Sequence, residues 1–393
     1  DIGRKISKPL PSEGDMNRYI KSGVLLCTVC AVLLSACVPK GKTLISSAEE
    51  ANDLTYTDSH VAGTLCEGVL VDAELPDLSE VSSYPVISGR MKETDEKVIR
   101  QVMDYFFRNH KPEEIREQKS PESEMVNYYI PGSGENWKKS FAIYQAADET
   151  GFYFSDDEAY PYPYITDDRA LFPTPGTEIA PFVDSGIVDL PFMTREEAVK
   201  TVQKQLKQWG IPMIGKPLVY TLDGGNLYEL LDNWNQIGYL QTDLSGVSRE
   251  MLDCYYMIFD TGYQGIPYTF FQRAVDGRYY DGARLELHFT EQGIIQMEYH
   301  WAEYEVEELE QQKSCLSIEK AFACLRRHFE QTILTSEIDI PKIYFQYVPV
   351  NAGETKGSYV FVPAWVFQPA GDVAGTYNYL DPVLINAITG EEI

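Results

Sequence analysis

Two segments share one helix pattern, and they constrain the fold of this 393-residue chain more than any other feature. "MTREEAVKTVQKQLKQWGI" begins at 193 and "LSIEKAFACLRRHFEQTIL" at 316. At an offset of 123, Met193 aligns with Leu316, Thr194 with Ser317, Ala198 with Ala321, Val202 with Leu325 and Leu206 with Phe329. Each segment places a hydroxyl at the N-cap position behind an apolar residue, with acid in the first turn. The first adds a capping box from Thr194 to Glu197. From its alanine, each then carries an apolar stripe at i, i+4 and i+8, which needs a surface to bury it. Helices are predicted from Thr194 to about Trp209 and from Ser317 to about Gln331.

The segments after each helix alternate with period 2 and break at Gly, Asn or Pro, as antiparallel strands do. After the first helix come "YYMIFDTGYQGIPYTFF" and "ARLELHFTEQGIIQMEYHW"; after the second, "PKIYFQYVPV", "GSYVFVPAWVF" and "PVLINAITGEEI". The expected fold class is therefore α+β, with two repeated units of one helix packed on an antiparallel sheet. The helical pattern at 94–110, with Val98, Val102, Tyr105 and Phe106 on one face, opens a degenerate third copy. The expected division is an N-terminal α+β domain at 59–192, a first unit at 193–310 and a second at 311–393.

The helix opening "MTREEAV", the strand "VPAWVF" (362–367) and the ending "INAITGEEI" (385–393) resemble PepSY-like domains and the extracytoplasmic regulators YycH and YycI. With "VDAELPDLSEVSSYPVIS", the chain as a whole resembles an uncharacterised lipoprotein family of anaerobic Firmicutes. These motifs are a cap, a strand and a turn. The resemblance implies a PepSY/YycI-like fold and, because PepSY-like domains inhibit proteases or modulate envelope signalling, a binding role. No catalytic residue carries over from it.

The N-terminal region supplies an address. Residues 16–36 read as a lipoprotein signal peptide. Met16 to Lys21 holds two positive charges, and Val24 to Ala36 holds none. That apolar run is too short for a membrane-spanning helix, which needs about 20 residues, and it fits the h-region of a removed signal. It ends at Leu34-Ser35-Ala36-Cys37, which resembles a bacterial lipobox and implies lipidation of Cys37 after cleavage before it. Residues 1–15 fit no targeting role and are expected to be an upstream extension, with Met16 the initiator. Residues 37–58 read as a tether. The expected location is the outer, extracytoplasmic face of the cell membrane, held by lipid.

Removing residues 1–36 takes five Lys/Arg and three Asp/Glu from totals of 33 and 60, leaving a charge of −29. Such a body repels phosphate backbones, which argues against a nucleic-acid partner. Cys27 and Cys30 fall inside the signal. Cys66, Cys254, Cys315 and Cys324 follow no metal-ligand or disulfide rhythm, and their pairing stays open.

Chemistry is less legible. The histidines at 60, 110, 288, 300 and 328 match no zinc spacing, and there is no GxSxG or P-loop. In the hairpin "RLELHFTEQGIIQMEYH", a three-residue turn at Glu291-Gln292-Gly293 sets Arg284 opposite His300, Glu286 opposite Glu298 and His288 opposite Gln296. His288, His300, Glu286 and Glu298 would then share a face and are the metal candidates. Apolar residues fill the other face, so a solvated polar face without ligand is the expectation, with no metal and no cofactor. Tyr160, Tyr162 and Tyr164, fixed in extended form by the prolines between them, are a candidate recognition surface.

The favoured reading is a non-catalytic, lipid-anchored module that binds a protein or peptide at the cell envelope. A solute- or glycan-binding lipoprotein using the Tyr-rich loops and an unrecognised hydrolase remain as alternatives. Replacing Cys37 by Ala should abolish labelling of the protein by a lipid probe and block signal processing. Acylation and normal cleavage of Cys37→Ala would refute the lipobox.

Overall fold

The computed structural model describes residues 53–79, 81–120, 124–132, 137–146, 149–156, 186–236, 244, 246–312, 314–373 and 376–393. From its start the chain forms β1 (Asp53–Tyr56), β2 (His60–Cys66), β3 (Val69–Glu74) and β4 (Val86–Met91), then helix α1 (Glu96–Phe106). Four strands come after it: β5 (Arg116–Ser120), β6 (Met125–Pro131), β7 (Trp137–Ala146) and β8 (Glu149–Asp156). Next are helix α2 (Arg195–Trp209), β9 (Ile214–Leu222), helix α3 (Gly224–Gln236) and β10 (Cys254–Asp260). Two short ribbons, β11 (Gly262–Tyr263) with β12 (Ile266–Pro267) and β13 (Arg273–Val275) with β14 (Arg278–Tyr280), lead to the hairpin β15 (Arg284–Thr290) and β16 (Gly293–His300). The rest is β17 (Tyr304–Glu310), helix α4 (Ile318–Glu330), β18 (Ile338–Ala352), β19 (Ser358–Val373), β20 (Thr376–Tyr379) and β21 (Val383–Asn386).

These strands make two large sheets. The first runs β1-β2-β3-β18-β19-β4-β17, with β20 and β21 also paired to β19. It is antiparallel except where β18 meets β3. The second runs β5-β6-β7-β8-β16-β15-β10-β9 and is antiparallel throughout.

Both predicted helices form where the sequence puts them, although Ser317 stands at its N-cap position without a side-chain hydrogen bond. The Thr194 hydroxyl takes the Glu197 amide while the Glu197 side chain reaches back to Thr194, and α2 ends at Gly210 in the left-handed conformation (φ 80°). Glycine enters that region without the Cβ clash other residues meet. Ala198, Val202, Leu206 and Trp209 of α2 are buried against the second sheet. Helix α1 lies over the same sheet: Val102 and Phe106 are buried there, with the Phe106 ring 4.5 Å from Phe154. The two helices meet where the ring of Tyr105 packs edge-on against Trp209. Helix α4 lays Ala321, Phe322, Leu325 and Phe329 on the first sheet.

The expected repeat of one helix on its own sheet is not the architecture. Strand accounts for 48% of the described residues and helix for 20%, so the protein is mostly β. Each sheet draws strands from distant parts of the chain. β1 to β4 complete the sheet under α4, and β5 to β8 complete the sheet under α2. The segment at 94–110 does hold a helix, α1, but it shares its sheet with α2 rather than opening a third unit. The physical reason lies in β18 and β19, at 15 and 16 residues far longer than a strand in a small helix-on-sheet unit. At that length each has backbone edge left for further strands: β4, β21 and β20 pair in succession along β19, and β3 pairs with the start of β18.

Leu206 and Phe329 are 0% and 6% exposed. Truncating either to Ala should cost about 2–5 kcal/mol through lost burial and an unfilled cavity, measurable by urea unfolding.

Candidate functional site

The β15–β16 hairpin keeps the predicted register at Arg284 opposite His300, Glu286 opposite Glu298 and His288 opposite Gln296, but a bulge beyond His288 shifts it by one: Phe289 pairs with Ile294 and Thr290 with Gly293, so the turn is Glu291-Gln292 rather than three residues. Its polar face is largely withdrawn from solvent rather than solvated: Arg284, Glu286, Gln296 and Glu298 are half-buried. His288 and His300 are 6% and 7% exposed. The face looks toward the same side as Tyr256 and Ile258 of β10, where Leu227 and Leu231 of α3 pack.

Within that cover the polar groups answer one another. The Tyr256 hydroxyl donates to Glu286 at 2.6 Å. The His288 ring stacks on Tyr256 with centroids 4.7 Å apart. Arg284 approaches Glu298 at 3.4 Å, and His300 lies 3.8 Å from Asp281. Gln272 donates to the other Asp281 oxygen. Burial raises the Glu298 carboxyl against the pull of Arg284, and raises Asp281 likewise. Burial drives His288 down to about 3; burial and the nearby Arg284 bring His300 to about 4. Both imidazoles are therefore neutral at pH 7. Among the described residues no group of three or more His, Cys, Asp or Glu is arranged to hold a metal ion. Cys66, Cys254, Cys315 and Cys324 are free thiols.

A second place has open space. Between α2 and β9 lies a groove of about 590 Å³, in the range of ligand sites. Thr194, Arg195, Glu196, Val199, Lys200 and Gln203 form the helix wall, and Lys216 and Pro217 the strand wall. Val188 and Asp189 close one end. Among the described strands β9 is the last of its sheet and has β10 as its partner. A proline is tolerated in such an edge, where no ladder bond is lost.

The groove is braced from beneath. Tyr255 on β10 accepts from the Leu190 amide at 2.8 Å and donates to the Met193 carbonyl at 2.7 Å. Asp189 accepts the Arg195 amide at 2.8 Å. Arg195 Nη2 donates to the Thr221 hydroxyl, which donates on to the Val188 carbonyl. Arg195 Nε is buried and, among the described residues, has no hydrogen-bond partner. Lys200 is held by Glu196 one turn before it. Val188, 54% exposed, and Ile187, 37% exposed, bring apolar surface to the rim.

Cys37 and the Tyr160, Tyr162 and Tyr164 surface lie outside the described residues. The groove was not read from the sequence. Two signals point to it: Pro217 within an alternating strand, and Arg195, Lys200, Lys204 and Lys207 on one helix of a chain with net charge −27.

A mostly β body of two large sheets with helices laid against them is thus the class of fold. No family model matches the chain, and no curated protein is similar to it. Among solved structures, an uncharacterised protein from Eubacterium rectale ATCC 33656 shares this fold at a TM-score of 0.61 and 17% identity. The match covers 85% of this chain and 93% of that one. No helix among the described residues is long and apolar enough to cross a membrane.

The buried histidines give a pH prediction. Their folded pKa values lie below the unfolded value of 6.5, so the unfolded chain binds their protons first. Their contribution to stability is intact above pH 6.5 and falls as pH drops toward 4, by about 1.4 kcal/mol per pH unit for each. Urea unfolding at pH 7 and pH 5 should show a smaller acid loss in His288→Gln than in wild type. Equal losses would show that His288 is not held neutral.

Proposed function

We propose that this chain is a lipid-anchored, non-catalytic binding module at the outer face of the cell membrane, and that it holds a protein or peptide segment in the groove between α2 and β9. The lipobox at Cys37 supports the location. The observation that carries the binding role is the groove itself. It joins a sheet edge and a rim of exposed apolar side chains. Sheet edges beside a helix suit extended peptide segments, with backbone and side-chain contacts both within reach. The braces from Tyr255, Asp189 and Thr221 hold the walls in place before any ligand arrives, which lowers the ordering cost of binding.

Panning a displayed library of random peptides on the purified protein tests this. Selected peptides should bind wild type and lose about tenfold or more in affinity for Val199→Glu, which sets a charge on the groove wall. A thermal melt confirms that the variant folds. Peptides that bind both proteins equally, or a library that yields none, would refute the groove as the docking surface.

A further inference from the structure

We infer that the edge strand β5 is a self-association surface, on which a second copy of this chain pairs antiparallel about Gln118. Among the described strands the first sheet ends at β1 and β17, and the second at β5 and β9. An edge offers unpaired amides and carbonyls to any strand that comes alongside. Shortness, bulges, prolines and charge are what keep such edges apart. Three of the four edges carry these devices plainly. β9 holds Pro217 and is bulged against β10. β17 is bulged against β4 and carries Glu305, Glu307, Glu308 and Glu310, so its own copy would bring acid to acid. β1 is four residues long, and its one charge is the acid of Asp53.

β5 differs from all three. It pairs with β6 from Arg116 to Ser120 without a shift of register, contains no proline, and leaves Arg116, Glu117, Gln118 and Lys119 exposed. Charge is its remaining protection, and that charge is self-complementary. A two-fold axis through Gln118 sets Glu117 of each copy opposite Lys119 of the other, and Arg116 opposite Ser120. Glu117 and Lys119 lie on one face of the strand, 3.3 Å apart, and are still 45% and 70% exposed. Tyr128 of β6 hydrogen bonds to Glu117 and helps hold it there. Across the axis the two pairs make a square in which every neighbour has the opposite sign, the favourable arrangement for directly opposed strand residues. Moving the axis by one residue sets Glu117 against Glu117 or Lys119 against Lys119. Charge therefore selects both the occupant and its register.

In this register opposed residues share a face, so the core face of one eight-stranded sheet continues into that of the other. β9 stands at the far end of its sheet from β5, and the groove beside it stays open in both copies. A five-residue strand pair buries less than the roughly 1,200 Å² of a standard interface, so the dimer is a weak one in solution.

Sedimentation equilibrium tests the pairing. Wild type should pass from monomer at about 1 μM to a substantial dimer fraction at about 500 μM. Glu117→Lys leaves only ammonium groups at the axis and Lys119→Glu only carboxylates, so each variant alone should stay monomeric, its fold checked by thermal melting. Mixed one to one, they restore the opposite-charge square and should dimerise as wild type does. Gln118→Cys gives a reading that keeps every charge in place. Residue 118 faces its own copy with Cα atoms about 4.5–5.5 Å apart, within disulfide reach, so mild oxidation should yield a covalent dimer that wild type treated alike does not. A wild type that stays monomeric at about 500 μM overturns the inference. So does dimerisation that both single variants retain, which would place the contact elsewhere. Monomeric, folded variants that fail to rescue each other, or a Gln118→Cys protein that does not cross-link, overturn it as well.

Discussion

Strand β10 is buried on both of its faces, and the second sheet is organised by that burial. Cys254 to Phe259 are all 3% exposed or less. Tyr255, Met257 and Phe259 face the core shared with α1 and α2, whereas Cys254, Tyr256 and Ile258 face the one shared with α3. A strand apolar on both sides needs cover on both sides. Helix α2 supplies one layer across β9 and β10, and α3 the other. The groove is a by-product of that layering: α2 crosses near an edge strand, and the space between them is left open.

The same cover explains the hairpin. Strand β15 pairs with β10, so its polar residues lie beside Tyr256 and Ile258, on the α3 side. Glu286, His288, Glu298 and His300 are carried into the interior by their neighbours' need for burial. They persist there because they answer one another. Tyr256 donates to Glu286, Arg284 faces Glu298 and Asp281 faces His300. A polar group taken from water costs several kcal/mol unless it finds a partner. The network therefore reads first as a consequence of a two-sided sheet, and its perturbed acids and imidazoles arise from burial.

Local chemistry was legible in the sequence and long-range pairing was not. The caps at Thr194 and Ser317, and the stripes from Ala198 and Ala321, depend on residues within two turns of each other. The hairpin register depends on one tight turn ending at Gly293. The Thr194 cap, both stripes and the register from Arg284 to His288 stand in the structure, whereas the Ser317 side chain makes no cap hydrogen bond and the hairpin register shifts by one toward the turn. Sheet membership depends on partners far along the chain, such as Val69 beside Ile338 and Phe154 beside Met297, and no local period encodes those. Alternation in β15 and β16 correctly separated two faces, but it says nothing about what covers the polar one. The groove is less visible still, because α2 and β9 form it only after both have docked on β10. Its local marks, the basic residues of α2 and Pro217, are weak ones, since the central strands β18 and β19 also hold prolines, at Pro349 and Pro363.

The groove between α2 and β9 carries both signs of charge. Arg195, Lys200 and Lys216 line it beside Asp189 and Glu196. Asp189 accepts the Arg195 amide, Glu196 pairs with Lys200, and Asp77, held below the usual carboxylate range by its hydrogen bonds from Ser79, also feels Lys216. Local pairing therefore offsets much of the positive charge there. Beyond the Debye length, about 8 Å at physiological ionic strength, the −27 charge of the chain is screened and exerts little force on such a surface. Shape and the apolar side chains of Val188, Val199 and Pro217 are then what such a surface has to offer, because neither the local nor the distant charge favours one sign strongly.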